Sequence, residues 1–86
     1  MVRAINSPRR STTFDKHVGK RLIYLRTIRE LSQKDVAADL DISFQQVQKY
    51  ESGKNRISAG RLWQISQTYK VPIDWFFVDM PDANPE

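Results

Sequence analysis

Apolar residues in this chain recur three and four positions apart, and nowhere do they alternate convincingly with polar ones. Val18, Leu22 and Leu25 form one such stripe and predict a helix over about 14–29. Val36, Ala37 and Leu40 predict a second over about 33–40, and Val47 with Tyr50 a third over about 44–51. Leu62, Ile65 and Tyr69 predict a fourth over about 59–69. The segment "PIDWFFV" is short but strongly apolar, and Pro72 suits the first turn of a fifth helix. Helix-start signals agree with these positions. Thr12 to Asp15 and Ser32 to Asp35 have the form of a capping box, Ser43 to Gln46 is its Gln version, and Ser58 can cap the fourth helix. Only Asp41 and Ile42 link the second and third helices. A turn that tight needs a residue at positive φ, easiest for Gly and next for Asp or Asn, so Asp41 is acceptable there while Ile42 plugs the core. The expected fold class is all-α with short connections.

The third helix does not fit a purely structural role. In "SFQQVQKYESGKNR" only Val47 and Tyr50 clearly belong to a core. Placed about 100° apart per residue, they mark one side, and Phe44, Gln45, Gln48 and Lys49 occupy the other. These side chains suit base edges in a DNA major groove. Gln can donate and accept at once to adenine N6/N7, Lys can donate to guanine O6/N7, and Phe44 can touch a thymine methyl. Gly53 can end the helix in a left-handed cap. Lys54, Asn55 and Arg56 then follow, suited to gripping phosphates, as are the free N–H groups that open the fourth helix. Taken alone, exposed glutamines are more often simply solvated. Readout groups beside backbone-gripping groups favour the nucleic-acid surface.

Charge extends that picture. At 86 residues the chain is one domain, its net charge is +4 and its pI about 9.7. Residues 1–30 hold eight Lys/Arg against two acids, while residues 57–86 hold two against four. The positive field therefore lies toward the N-terminus, where Arg3, Arg9 and Arg10 sit in a segment broken by Pro8. We read 1–11 as a flexible basic arm, 12–78 as the folded domain and 79–86 as a flexible acidic tail. The arm reads as a tail, with phosphate tracking or a minor-groove contact as its functional alternative. With no cysteine, disulfides, thiolate zinc sites and thiol nucleophiles are excluded. His17 is the lone histidine and is expected to face solvent. No paired carboxylates, phosphate-cradling Gly loop or Ser/His/Asp arrangement stands out, so neither an enzyme nor a metal or cofactor site is expected. No apolar run reaches the ~18 residues of a membrane span, and the N-terminus lacks a secretory apolar region. Cytoplasmic localisation is the expectation, with no membrane partner and no small-molecule ligand evident.

Residues 19–77 resemble the Cro/repressor-type (xenobiotic-response-element-like) helix-turn-helix family, which includes phage repressors and many bacterial regulators. The resemblance rests on Arg26 in the first helix, Ser32-Gln33 opening the second and Glu51-Ser52-Gly53 ending the third. It implies a compact five-helix, lambda-repressor-like domain whose third helix enters the major groove of double-stranded DNA. It implies base reading by Phe44, Gln45 and Lys49, to which the helical wheel adds Gln48. It implies phosphate contacts from Gln33, Lys54 and Arg56 and a structural ion pair of Arg26 with Glu51, while Ser43 and Asn55 are further phosphate candidates from their positions beside α3. The family's usual turn Gly is here Asp41. The implied function is sequence-specific transcriptional regulation, in the form of a repressor acting as a homodimer on a palindromic operator. Trp63, Trp75, Phe77 and Val78 are candidates for the dimer interface, since Trp75, Phe77 and Val78 are too many apolar groups for so short a segment to bury, and Phe76 suffices to close the core. The rival readings are a protein-interaction module, such as an antitoxin or transcription bridging factor, and a nonspecific binder working through the basic arm.

Overall fold

The computed structural model of the chain describes residues 12–81. The expected arm at 1–11 and the tail from residue 82 onward lie outside the described residues. Four α-helices follow one another, α1 (Thr13–Ile28), α2 (Gln33–Leu40), α3 (Phe44–Ser52) and α4 (Ala59–Tyr69), and a 3-10 turn spans Ile73–Phe77. The fold is all-helical as expected, but the fifth α-helix is not there. Pro72 precedes the last element as its N-cap, and five residues between Pro72 and Val78 close into 3-10 geometry. The segment is too short to recover the cost of nucleating an α-helix.

Local chemistry accounts for the helix starts. Thr12 and Ser32 each accept from the backbone N–H of the residue three on, and Asp15 and Asp35 each accept in return from the cap's N–H. The Ser32 backbone N–H and then its hydroxyl hold the Asp35 carboxyl below its ordinary pKa. Ser43 caps α3 through Gln46 N–H at 3.0 Å, and Ser58 caps α4 through Arg61 N–H at 3.1 Å. Among the described residues the reciprocal half of the Ser43 box is not made.

The helix ends share one device. Glu30, Asp41 and Lys70 adopt left-handed φ values of 58°, 58° and 57° after α1, α2 and α4. In each case the next residue's N–H reaches back five positions, Leu31 to Arg26, Ile42 to Ala37 and Val71 to Ser66. This satisfies carbonyls the helix itself cannot use. Asp41 thus takes the positive φ that the turn between α2 and α3 requires.

Eleven apolar side chains form the core, among them Leu22, Leu25, Val36, Leu40, Val47, Ile65 and Phe76, each at most 1% exposed. Val18 and Ile42 are half-buried against it, so every residue expected in the core packs there. Phe76 closes the cluster from the 3-10 turn.

Two glycines decide how closely α3 approaches α1. A Cβ on Gly19 would press into the backbone carbonyl oxygens of Tyr50 and Glu51, the latter at 2.8 Å. Gly53, at φ 77°, faces Lys16, where a Cβ would lie 2.8 Å from the Lys16 Cα. The C-terminal turn of α3 therefore lies close on α1, with Gly19 against its carbonyls and Gly53 against the backbone and the base of the side chain of Lys16.

Gly19→Ala should destabilise the fold by about 1–2 kcal/mol net, because overpacking against rigid carbonyls exceeds the helix propensity gained. Urea denaturation would measure it. A second expectation concerns Tyr69, whose hydroxyl donates to Asp39 at 2.7 Å. Burial, then this hydrogen bond, raises its pKa above the ordinary 10.0. The native state therefore holds the phenolic proton more tightly than the unfolded chain. The stabilisation is complete below pH 10.0 and is lost as pH rises above it. Tyr69→Phe should flatten the alkaline limb of a Tm-versus-pH curve.

Candidate nucleic-acid interface

Glu51 fixes the site. It is the one buried acid among the described residues, 6% exposed, and lies on the side of α3 that meets α1. A carboxylate there needs hydrogen-bonding partners, and three donated bonds supply them. Arg26 Nε donates to Oε2 at 2.5 Å and Nη2 to Oε1 at 3.0 Å, a two-pronged pair. Gln33 Nε2 donates to the same Oε1 at 2.7 Å. Arg26 also reaches the Leu31 carbonyl at 3.3 Å. The hydrogen bond to Glu51 raises the Arg26 pKa, against the opposing effect of burial. Glu51 thus ties α1 and α2 to the last turn of α3, and Arg26 adds the loop between α1 and α2.

With Val47, Tyr50 and Glu51 facing inward, the other face of α3 is free. Gln45, Gln48 and Lys49 are exposed, and with Ser52 and Lys54 they line an open cleft of about 350 Å³. Their amide and ammonium groups border one shallow, open depression. Phe44 sits at the start of this face, half-buried, with the Lys34 ammonium 5.8 Å from its ring centroid.

The flanking residues divide. Ser43 is engaged in capping α3. Gln33 turns its amide inward to Glu51. As the first residue of α2 it contributes one of the backbone N–H groups that a helix start leaves unused. Asn55 is half-buried and its backbone N–H closes on the Lys49 carbonyl at 3.2 Å. Arg56 Nε pairs with Asp15 at 3.1 Å, which links the α3–α4 loop to the start of α1. Lys54 is exposed beside the cleft, its backbone N–H held by Ser52 Oγ at 3.3 Å.

A family profile described as helix-turn-helix matches residues 22–76, most of the described fold. The chain belongs to the helix-turn-helix family. Its relatives include an uncharacterized transcriptional regulator in the ATPase CF(0) region of Rhodospirillum rubrum, 49% identical over 83% of this chain and 66% of that one. A helix-turn-helix-type transcriptional regulator of Sinorhizobium medicae is 44% identical over 90% of this chain and 55% of its own length. The chain thus spans between half and two-thirds of these relatives. Among solved structures, the restriction-modification controller protein C.AhdI of Aeromonas hydrophila superposes with a TM-score of 0.67. That match, at 24% identity, covers 72% of this chain and 94% of that one. A transcriptional regulator of the same family from Vibrio cholerae gives a TM-score of 0.71 at 24% identity, over 80% of this chain and 40% of that one. At that identity the two structures speak for the fold.

As a helix-turn-helix domain the chain carries its α2–turn–α3 unit over 33–52. Two expectations from sequence are corrected at its periphery. Trp75 is not an open surface group. It stacks on Tyr24, with ring centroids 5.8 Å apart, and the Arg21 guanidinium lies 3.8 Å from its ring centre. His17 does not simply face solvent. It is half-buried, with Nε2 2.6 Å from the Val78 carbonyl. Phe77, 43% exposed, opens onto an apolar cleft of about 330 Å³ lined also by Phe14, Val18, Ile57, Leu62 and Met80. Among the described residues no helix is long and apolar enough to cross a membrane. Gly19, Gln33's inward bond and the Asp15–Arg56 pair had no signal in the sequence, because each exists only once distant segments meet.

Arg26→Ala leaves Glu51 buried with Gln33 alone, and should cost about 3–5 kcal/mol in chemical denaturation. Arg26→Lys keeps the charge but loses the fork geometry, and should cost less.

Proposed function

We propose that this domain binds double-stranded DNA in a sequence-specific manner as a transcriptional regulator, with α3 in the major groove. The observation that carries this reading is the face of Gln45, Gln48 and Lys49. It borders one shallow cleft and projects from a helix whose opposite side is anchored by Glu51, Val47 and Tyr50. Glutamine amides and a lysine are the side chains that pair with adenine and guanine edges. Phe44, at the head of the same face, is apolar and suited to a thymine methyl. Lys54 and the backbone N–H groups opening α2 and α4 supply phosphate contacts, which set register without reading sequence. Family membership and the regulator names of the relatives agree with this reading.

The protein acts as a repressor in the form of a homodimer on a palindrome. The apolar cleft at Phe77 and the side chain of Trp63, which is 56% exposed, support an interface on the α4 side of the domain. Trp75, packed on Tyr24 and Arg21, contributes only its outer edge. Arg3, Arg9 and Arg10, which lie outside the described residues, track the DNA backbone.

Selection from random DNA should enrich a palindromic consensus whose half-site centres lie about 34–36 Å apart. Enrichment of no sequence would favour the protein-interaction reading instead. Gln45→Ala should cost about 1–3 kcal/mol on the selected site and relax preference at one base position, while leaving random DNA unaffected. Equal losses on both would remove Gln45 from the reading face. Lys54→Ala should weaken all sequences alike and reduce the salt slope by about one.

A further inference from the structure

The side of α1 turned away from α3 carries a cluster that neither the core nor the reading face uses. At about 100° per residue, Tyr24, Ile28 and Arg21 lie roughly 140–200° round the helix from Gly19, the residue that meets α3. Tyr24 is 52% exposed and Ile28 55% exposed, and neither belongs to the core cluster. Arg21 stands at the head of this stripe, half-buried. Its Nε donates to the Trp75 carbonyl at 3.0 Å. Its guanidinium lies 3.8 Å from the Trp75 ring centre and 5.3 Å from that of Tyr24.

Those contacts use one N–H and one face of the guanidinium. Among the described residues its two Nη groups have no hydrogen-bond partner, and neither ion pair includes it. The Trp75 stack holds the cation in place. A carboxylate reaching its free edge can therefore form a forked pair with little further loss of side-chain freedom. Arg, Tyr and Trp are also the residue types that carry most binding energy at protein interfaces. Neither cleft described above includes Arg21, Tyr24 or Ile28. The outer face of a helix suits a protein segment, whereas small molecules favour concave sites.

Charge and spacing together specify what fits. Arg21, Tyr24 and Ile28 follow one another at three and four residues, along about 10 Å of helix. A matching helix needs a carboxylate opposite Arg21 and apolar side chains opposite Tyr24 and Ile28. A second copy of this chain does not supply them through the same face. The stripe holds no acid, and two stripes laid antiparallel would set Arg21 against Ile28.

We propose that Arg21, Tyr24 and Ile28 form a docking surface for an acidic amphipathic helix of another protein, with Trp75 as the floor that fixes Arg21. This goes beyond the DNA reading and does not rest on it. Because the surface lies on the side of α1 opposite α3, a partner seated there leaves Gln45, Gln48 and Lys49 uncovered.

The test is selection, against the full chain, from a library of helical peptides randomised on one face. Recovered peptides should carry Asp or Glu with apolar residues three or four positions away. Arg21→Gln should weaken a recovered peptide about tenfold and Ile28→Gln about fivefold. Ile28 lies outside the core, so Ile28→Gln should leave the urea midpoint unchanged, which separates docking from folding. Arg21→Glu should shift preference to the peptide in which Lys replaces the acid. In Trp63→Phe, which leaves Trp75 as the one tryptophan, the peptide should change the Trp75 emission. Double-stranded DNA of the selected site should not displace the peptide. Enrichment of no peptide, or of peptides without acids, would overturn the proposal, as would binding that ignores both Arg21→Gln and Ile28→Gln. Self-association that Ile28→Gln abolishes would give the face to a second copy and overturn the separate partner. Displacement by DNA would overturn the placement of the surface away from the reading face. If no DNA sequence is preferred, the major-groove reading falls while the peptide results stand.

Discussion

A buried carboxylate must be satisfied, and in this domain the satisfaction of Glu51 dictates where the helices sit. The guanidinium of Arg26 and the amide of Gln33 come from α1 and α2, so the acid can be buried on α3 only if all three helices meet at one point. Hydrophobic packing alone tolerates small rotations of a helix about its axis. A forked Arg–carboxylate pair does not, because both hydrogen bonds fail together when the fork turns. The apolar cluster holds the domain together, and the Glu51 network sets the rotation of α3 and hence which residues face outward.

That rotation resolves the unusual composition of α3. A helix of nine residues with Val47 and Tyr50 as its main apolar anchors would be poorly held if its only support were burial. Glu51, Ser43 and Gly53 add hydrogen bonds at both ends, which frees the outer face from any structural duty. The polar groups on that face can then be chosen for what they touch in a partner. The loops follow the same economy. Arg56 is joined to Asp15 and Asn55 is closed onto the end of α3, while Lys54 projects beside the cleft.

The four α-helices, their N-caps and their core residues were legible in the sequence because each depends on neighbours within a few positions. Thr12, Ser32, Ser43 and Ser58 announce helix starts through their own side chains, and the three-and-four spacing marks what is buried. Helix ends were less legible. Glu30 and Lys70 take left-handed conformations without the glycine that would have signalled them, because the back-reaching hydrogen bonds outweigh the strain. The last element was misread since its five residues between Pro72 and Val78 carry helix-forming signals but lack the length to propagate. Trp75 was taken as surplus because its partners, Arg21 and Tyr24, lie on α1, far away in sequence. His17 and Val78 meet for the same reason. For the site, the outward face of α3 followed from a helical wheel. The ion pair of Arg26 with Glu51 was legible only by family resemblance, since nothing in the spacing of two residues so distant requires them to touch.

Gly19 and Gly53 let α3 lie directly on the backbone of α1. At Gly19 the contact is between two main chains, with no side chain whose length or rotamer could vary. The height of the outer face above the rest of the domain is therefore set by peptide geometry. Substitutions at Gln45, Gln48 or Lys49 can change the chemistry presented to a partner without altering the distance at which it is presented. A scaffold of this kind separates two properties that mutation usually couples. What is recognised can drift while the reach of the recognising surface stays constant.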